Sequence, residues 1–311
     1  MAQEPRTLME AVRYFADPDI ALKHMVELRW PDGVACPTCG RTDVRYIGTR
    51  RLWECKGSHA RKQFSAKVGT IFEDSALPLD KWFVAIWMVA NCKNGISSYE
   101  MGRALGITQK SAWHMNHRIR LAMRLGTIEK MGGHVEADET YIGGKAANRH
   151  RNDPKNGPGT AGKAAVVGVL QRKGGAAAVV IERPDTRTLD GFVHAFVVPQ
   201  ATVSTDEHSG YRHLSRTFHH GVVRHSAGEY VKDSHHTNSI EGFWALLKRS
   251  IKGTYISVEP FHLGRYVDEQ VFRFNEREGS DADRFAAALR RVMGKRLTYR
   301  ELTSGTIASA A

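Results

Sequence analysis

Three acidic residues lie in segments whose patterns allow their carboxylates to converge on metal ions. Asp138 lies in the alternating segment 134–143, Asp206 ends the short apolar segment 203–206, and Glu241 lies in an amphipathic helical segment. In-line attack on a phosphodiester bond is served by two Mg²⁺ (or Mn²⁺) ions about 4 Å apart, and such ions take carboxylate ligands. The three residues therefore predict a two-metal centre that cleaves phosphodiester bonds.

Each carboxylate also has a structural explanation. Asp206 precedes a turn and could cap it, and Glu241 could be an ordinary surface charge on its helix. Asp138 is the hardest to explain in this way, because an acidic side chain inside a strand is unfavourable unless a positive group meets it.

A second group of residues has the spacing of zinc ligands. Cys36 and Cys39 form a C-x2-C pair, and Cys55 and His59 follow as a C-x3-H pair after fifteen intervening residues. Four such ligands satisfy a tetrahedral structural Zn²⁺, which has no open position for catalysis. Cys92 competes with His59 for the fourth place, but it lies in an apolar helical segment where a cysteine acts as a small hydrophobic residue.

The charge balance favours a polyanionic partner. Forty-five Lys and Arg against 33 Asp and Glu give a net charge of +12 and a pI near 9.6, as in proteins that bind nucleic acid, although a basic soluble enzyme has the same balance. The longest strongly apolar run, 83–90, is too short to span a membrane. With no export signal at the N-terminus, we expect a protein of the bacterial cytoplasm, associated with the nucleoid.

The segment after the cysteines has a helix-turn-helix pattern. Ser97 and Glu100 form a capping box, Gly106 ends that helix, and Thr108 caps a helix over 109–125. Residues 103–130 hold six Lys or Arg against one acidic residue, which suits a helix in the DNA major groove, although helical hairpins with a solvated basic face are common. The predicted DNA contacts from this helix are Lys110, His114, His117 and Arg118.

From residue 134 onward, short apolar runs alternate with helical patterns, which predicts an α/β domain. The predicted strands are 134–142, 164–171, 176–182 and 202–205, and the predicted helices are 188–198, 239–249 and 261–277. A basic segment rich in Gly and Asn separates the first two strands. Its Lys145 is a further candidate DNA contact.

Several motifs, in order along almost the whole chain, are similar to those of the Merlin-related bacterial insertion-sequence transposases (ISXO-like), which join a zinc ribbon to a DDE domain. The motifs are the Cys36 ribbon, GTIFEDS at 69–75, KNGISS at 93–98, DETYIGG at 138–144, TDEHSGY at 205–211, HTNSIEGFWALLKRSIKG at 236–253 and HLGRYVDEQVFRFNER at 262–277.

The resemblance implies an RNase H-like (retroviral-integrase-like) catalytic domain with two-metal catalysis. It also implies recognition of the element's terminal inverted repeats, and excision of the element and its integration into target DNA. The partner is then double-stranded DNA, and a homodimer or higher oligomer is expected on it.

The third acidic position varies within this family, and some members have Asn there. Either Asn238 or Glu241 is then the third ligand, and we prefer Glu241 because its full charge binds metal better. Its spacing, with 34 residues between Asp206 and Glu241, is familiar in DDE enzymes. Lys248, seven residues after Glu241, and its neighbour Arg249 are then expected to contact DNA.

The expected domain order follows from these patterns. N-terminal helices occupy 1–30, the zinc ribbon 31–75, the helix-turn-helix 76–131, the catalytic domain 132–295 and a C-terminal tail 296–311. Two alternatives stay open from sequence. One is a DNA-binding regulator with an inactive RNase H-like domain, and the other is a nuclease of the same fold that cannot join DNA.

Overall fold

The computed structural model of this chain describes residues 4–124, 126, 129–144 and 159–304. By contacts between Cα atoms the chain divides into two compact units, Met1–Arg124 together with Glu276–Ala311, and Leu125–Asn275. Within the described residues, no helix combines the length and apolar character that crossing a membrane requires.

The first unit is a helical assembly that carries a small sheet. Its helices are α1 (Leu8–Phe15), α2 (Pro18–Arg29), α3 (Leu79–Asn91), α4 (Ser98–Leu105), α5 (Gln109–Met123), α9 (Asp281–Arg290) and α10 (Tyr299–Thr303). Asp17 caps α2 through its side chain, so the Asp-Pro pair separates α1 from α2. Aromatic packing in the core joins Phe15 to Phe83 and Phe285 at ring distances of 4.8 and 5.7 Å.

Helix α9 departs from the predicted domain order. The sequence places residues up to 295 in the catalytic domain, whereas Glu276–Ala311 belong to the first unit. The physical reason is aromatic packing, because Phe285 of α9 is buried against Phe15, Phe83 and Trp87. A sequence pattern cannot show that an amphipathic C-terminal helix returns to N-terminal partners.

The predicted ribbon is a three-stranded antiparallel sheet. Strands β1 (Val44–Ile47), β2 (Leu52–Cys55) and β3 (Gln63–Phe64) lie in the order β1-β2-β3. Trp53 of β2 stacks on Phe64 of β3 with ring centroids 6.1 Å apart, which gives this small sheet an aromatic core.

Both helices of the helix-turn-helix begin at the predicted caps, and α5 ends at Met123, before the predicted residue 125. Ser97 and Glu100 form both hydrogen bonds of a capping box, and Thr108 accepts the Ser111 N–H at the start of α5. Gly106 ends α4 with φ of 60°, a left-handed conformation that glycine adopts without strain.

The second unit is built on a five-stranded mixed sheet. Its strands are β4 (His134–Ile142), β5 (Ala164–Gln171), β6 (Ala176–Ile181), β7 (Thr202–Thr205) and β8 (His219–Val222), in the spatial order β6-β5-β4-β7-β8. The first three strands are antiparallel, and β7 and β8 run parallel to β4. This is the arrangement of the RNase H-like fold, so the predicted fold class is confirmed.

Helices cover both faces of this sheet. Helix α6 (Thr186–Phe196) packs Leu189 and Val193 against one face. Helices α7 (Asn238–Ser250) and α8 (Leu263–Asn275) cover the other face with residues such as Phe243, Trp244 and Val267. A sheet buried on both sides explains why β5 is almost continuously apolar.

Candidate active site and zinc site

The register of two parallel strands brings Asp138 and Asp206 together. In the parallel pair of β4 and β7, Glu136 is opposite Ser204. Asp138 and Asp206 are each two residues further along, and Asp206 directly follows the end of β7. Since neighbouring strands lie about 4.8 Å apart, the two carboxylates meet at one edge of the sheet. The pairing of the first two predicted acidic residues thus follows from strand register.

The environment of Asp138 disfavours its charge in the absence of metal. Burial, followed by the negative charges of Asp206 and Glu139, raises the pKa of the Asp138 carboxyl to about 7. The indole N–H of Trp244 donates a hydrogen bond of 3.0 Å to Oδ2 of Asp138, which orients the carboxyl group. A divalent cation at this position would offset the repulsion between the carboxylates.

A glycine makes room for that indole. Gly168 of β5 is the register partner of Asp138. A Cβ on Gly168 would lie 2.6 Å from Cη2 of Trp244 and 2.8 Å from Cζ2, closer than side chains pack. Gly168 therefore allows Trp244 of α7 to lie directly on the sheet beside Asp138.

Glu139 is a third carboxylate at this edge, and sequence reasoning missed it. Ligand atoms of Asp138, Glu139 and Asp206 all lie within 4.8 Å of one another. Strand alternation assigned Glu139 to the face opposite Asp138, but the long Glu side chain reaches the same edge of the sheet. Burial and then the charge of Asp206 raise the pKa of Glu139, whose Oε2 accepts a hydrogen bond of 3.0 Å from the Tyr211 hydroxyl.

Glu136 joins β4 to the start of α7. The side chain of Thr237, the residue before α7, makes no capping hydrogen bond. Glu136 takes this role from the neighbouring strand, because its Oε2 accepts the N–H groups of Ser239 (2.8 Å) and Ile240 (3.0 Å). Its side chain is 0% exposed and pairs with Arg172 at 2.8 Å. An anion at a helix N-terminus is favourable, so this pair fixes the first turn of α7 against the strand of Asp138.

Glu241 and Asn238 both lie in that first turn, outside the carboxylate cluster. Glu241 is 49% exposed, and its Oε1 accepts a hydrogen bond of 2.8 Å from the Thr237 hydroxyl. The same oxygen lies 3.5 Å from Nε2 of His225. Asn238 is exposed. Glu241 lies about one helical turn before Trp244, whose indole contacts Asp138. Helix α7 therefore contacts the carboxylate cluster through Trp244 and carries Glu241 nearby.

The structure brings together the four predicted zinc ligands. One ligand atom each from Cys36, Cys39, Cys55 and His59 lies within 4.8 Å of the others. The Sγ atoms of Cys39 and Cys55 are 3.6 Å apart, and Sγ of Cys36 is 3.4 Å from Nε2 of His59. A tetrahedral site with Zn–S bonds of 2.3 Å has S–S edges of about 3.8 Å, so these distances fit Zn²⁺.

The thiol electrostatics agree with this zinc-binding Cys3His cluster. Burial raises the pKa of the Cys36 thiol. Hydrogen bonds from the backbone N–H groups of Thr38 and Cys39, and from the neighbouring thiols, outweigh burial and lower the pKa to about 6. A lowered pKa favours the thiolate, which is the form that binds metal. Cys92 does not belong to this cluster and directly follows α3.

Two of the predicted DNA contacts on α5 are buried in the first unit. His117 is 0% exposed and Arg118 is 6% exposed. The Arg118 guanidinium donates hydrogen bonds to the carbonyl oxygens of Ile71, Glu73 and Leu297 at 2.8 to 3.0 Å. This face of α5 therefore packs inside the first unit, where the Arg118 guanidinium satisfies main-chain carbonyls, rather than facing solvent.

The remaining predicted DNA contacts differ in their placement. Lys110 is exposed, with Nζ 4.8 Å from the centre of the Tyr299 ring. His114 is partly buried, with Nε2 3.2 Å from the Leu297 carbonyl. Lys248 is half-buried and Arg249 is exposed near the end of α7. Lys145 lies outside the described residues.

Comparison with known proteins identifies two domains in this chain. Residues 130–275 match the ISXO2-like transposase domain, and residues 17–60 match the transposase zinc-ribbon domain. The first match ends at the last residue of the second unit. A relative from Halobacterium salinarum, described as an uncharacterized protein in transposable element ISH50, is 26% identical over 258 residues, which is 78% of this chain and 85% of that protein. These matches show that this chain carries a transposase zinc-ribbon domain followed by an ISXO2-like transposase domain.

Proposed function

We propose that this protein is an active DNA transposase that binds the terminal inverted repeats of its insertion sequence and catalyses metal-dependent strand cleavage and strand transfer. The observation that carries the proposal is the meeting of Asp138 and Asp206 on neighbouring parallel strands of an ISXO2-like transposase domain, with Glu139 beside them. Three neighbouring carboxylates repel one another, and a DNA-binding regulator with an inactive RNase H-like domain would not need this unfavourable cluster.

The proposed centre holds Mg²⁺ (or Mn²⁺), two per active site. Two such ions, when bound, activate the attacking water or 3′-hydroxyl and stabilise the leaving oxygen. Asp138 and Asp206 would supply carboxylate oxygens to these ions, the hard ligands that such ions prefer. Trp244 would keep one oxygen of Asp138 fixed by its hydrogen bond. Glu136 and Arg172 would keep α7 in place while DNA enters the site.

The third acidic ligand has three candidates. We propose Glu241, because it lies in the turn of α7 that Glu136 fixes and is exposed toward solvent, where DNA and metal arrive. Asn238 lies one turn earlier and would then contact DNA. Glu139 is the alternative favoured by proximity to Asp138 and Asp206.

Single substitutions separate these candidates. We expect Glu241→Gln to abolish cleavage, Asn238→Ala to weaken DNA binding at unchanged metal dependence, and Glu139→Gln to retain measurable cleavage. Cleavage that survives Glu241→Gln and is lost in Glu139→Gln would move the third ligand to Glu139.

DNA recognition is proposed for the first unit and for the end of α7. The zinc ribbon and the exposed part of the helix-turn-helix, including Lys110, would bind the terminal repeats, and Lys248 and Arg249 would contact DNA phosphates near the active centre. Pairing of two DNA ends requires two active sites, so we propose a homodimer or higher oligomer on DNA.

An excision and integration assay with the ends of the element tests the proposed function. We expect the wild-type protein with Mg²⁺ to cut at the terminal repeats and join the ends to target DNA, and Asp138→Ala to do neither. Wild-type activity in Asp138→Ala would contradict the assignment of the centre. Specific binding without any metal-dependent nicking would instead indicate a DNA-binding regulator.

A further inference from the structure

A second feature of the catalytic domain, beyond the carboxylate edge, is a cavity of about 650 Å³ where β4 ends. Among the described residues, it is lined by Tyr141, by apolar residues such as Val258 and Leu263, and by Lys163, Lys248 and Lys252. One acidic side chain, Glu259, also lines it. A cavity of this size accommodates a small organic group, and three cations against one anion favour a ligand with negative charge.

The rim of this cavity contains a strained, exposed isoleucine. After α7 the helix widens into one π-helical turn, Ile251–Tyr255, and Ile256 follows with φ of 62° and ψ of −59°. The Ser257 N–H donates to the Tyr255 carbonyl at 2.6 Å, so Ile256 is the centre of a γ-turn with positive φ, which is rare and unfavourable for a β-branched residue. Ile256 is nonetheless 80% exposed.

The residue before Ile256 is anchored by side-chain contacts. The Tyr255 hydroxyl hydrogen-bonds to Glu269, which is fully buried and ion-paired with Arg273. The Tyr255 ring also packs edge-on against Tyr266 at 4.6 Å. Backbone strain that the surrounding structure maintains, at a π-helical turn and with an apolar side chain left in solvent, is typical of a binding function.

Two elements, β4 and α7, each carry residues of both the cavity and the proposed metal centre. Tyr141 lies three residues after Asp138 on β4, about 10 Å away at the rise of a strand. Lys248 lies seven residues after Glu241 on α7, also about 10 Å along the helix. A nucleotide next to a phosphate held at Asp138 and Asp206 would therefore be at the right distance to reach the cavity.

We propose that this cavity binds a single nucleotide that has left the DNA duplex next to the cut site. The base would lie on Tyr141 and the apolar wall, and the lysines would pair with its flanking phosphates. Ile256 would take the place of the base in the duplex stack, as apolar side chains do when they enter between base steps. This proposal rests on the proposed function, because it assumes that DNA lies across the carboxylate edge.

Binding to two DNA duplexes in Mg²⁺-free buffer tests the proposal without requiring cleavage. The probes are one fluorescent duplex with a single unpaired extra adenosine and the same duplex fully paired, both measured by fluorescence anisotropy. Stacking of a base on an aromatic ring is worth about 1–3 kcal/mol, so we expect the wild-type protein to bind the bulged duplex about tenfold more tightly.

Three variants and one control locate the effect. Tyr141→Leu and Ile256→Gly are expected to remove the preference for the bulged duplex, and Lys252→Gln to reduce it. Lys173→Gln carries the same charge change on an exposed lysine of the same unit that does not line the cavity, and it should keep the preference. Ile256→Gly relieves the strain, so its Tm should be unchanged or higher, which separates lost binding from lost folding.

The outcomes are distinguishable from those of the proposed function. Equal wild-type affinity for the two duplexes, or a preference that survives in Tyr141→Leu and Ile256→Gly, would overturn the nucleotide cavity while leaving cleavage and joining intact. A wild-type protein that binds neither duplex would overturn both proposals.

Discussion

Replacing Asp138 by Asn should stabilise the metal-free protein, and more so at higher pH. The folded state raises the pKa of Asp138 from an ordinary value of 3.8 to about 7, mainly through burial and then through Asp206 and Glu139. A raised carboxyl pKa means that the folded state binds this proton more tightly than the unfolded state. The ionised group therefore lowers the free energy of unfolding as pH rises from about 4 to about 7, and the loss levels off above that.

The size of the effect follows from the shift of the pKa. One pKa unit corresponds to about 1.4 kcal/mol, so ionised Asp138 lowers the free energy of unfolding by about 4 kcal/mol at pH 8 and by about 2 kcal/mol at pH 5. Asn keeps an oxygen that accepts the Trp244 indole N–H and has no charge to desolvate. We therefore expect Asp138→Asn to gain about 2 kcal/mol more at pH 8 than at pH 5.

Hydrogen exchange of the backbone amides in β4 and β5 measures the stability gained by Asp138→Asn at the site itself. Opening free energies are compared at pH 5 and pH 8 in Mg²⁺-free buffer with zinc retained, after correction for intrinsic exchange rates. Glu182→Gln removes an exposed carboxylate of the same unit and serves as the control, with an expected change within about 0.5 kcal/mol. If Asp138→Asn were no more stable than the wild type at pH 8, the raised pKa of Asp138 would be contradicted.

Three further substitutions test how the site is held. Gly168→Ala places a Cβ 2.6 Å from Trp244. We therefore expect the free energy of unfolding in urea to fall by about 1–3 kcal/mol and the cleavage rate to fall as well. Wild-type values for both would show that Trp244 can move away from the added methyl group. Glu136→Gln should lower the free energy of unfolding by about 3 kcal/mol, because Arg172 is left without its anion, and an unchanged urea midpoint would exclude this role. We expect the wild-type protein to bind zinc, and Cys55→Ser to lose that zinc and become sensitive to protease in residues 31–75, whereas full zinc content of the variant by atomic absorption would remove Cys55 from the ligand set.

Much of the fold could be predicted because its elements have strong local signals. The strand over 134–142 and the strand over 164–171 have the predicted bounds, since alternation and an apolar run mark them clearly. The starts of α4 and α5 were likewise predictable, because Ser97 and Thr108 are recognisable capping residues. The strand His219–Val222 was missed because its two histidines and a glycine carry no strand pattern, and its place in the sheet comes from pairing with β7.

The site was less predictable, because it depends on long-range contacts. Register with β7 brings Asp138 to Asp206, and this pairing agrees with the sequence hypothesis. Glu139 was not among the predicted site residues, since alternation gives only the direction of a Cβ and not the reach of a side chain. The roles of Glu136 and Arg118 were missed for a related reason. A charged residue in a sequence suggests solvent or a ligand, whereas these two satisfy buried backbone groups.

Joining of a pre-cut DNA end tests the central claim most directly. The substrate is a terminal-repeat duplex with a free 3′-hydroxyl, mixed with plasmid target DNA and Mg²⁺. We predict that the wild-type protein joins the end to the plasmid, and that Asp138→Asn and Asp206→Asn bind the duplex with wild-type affinity but form no joined product. Joined product from either variant at the wild-type rate, or cleavage without joining by the wild-type protein, would contradict the proposal of a strand-transferring centre at Asp138 and Asp206.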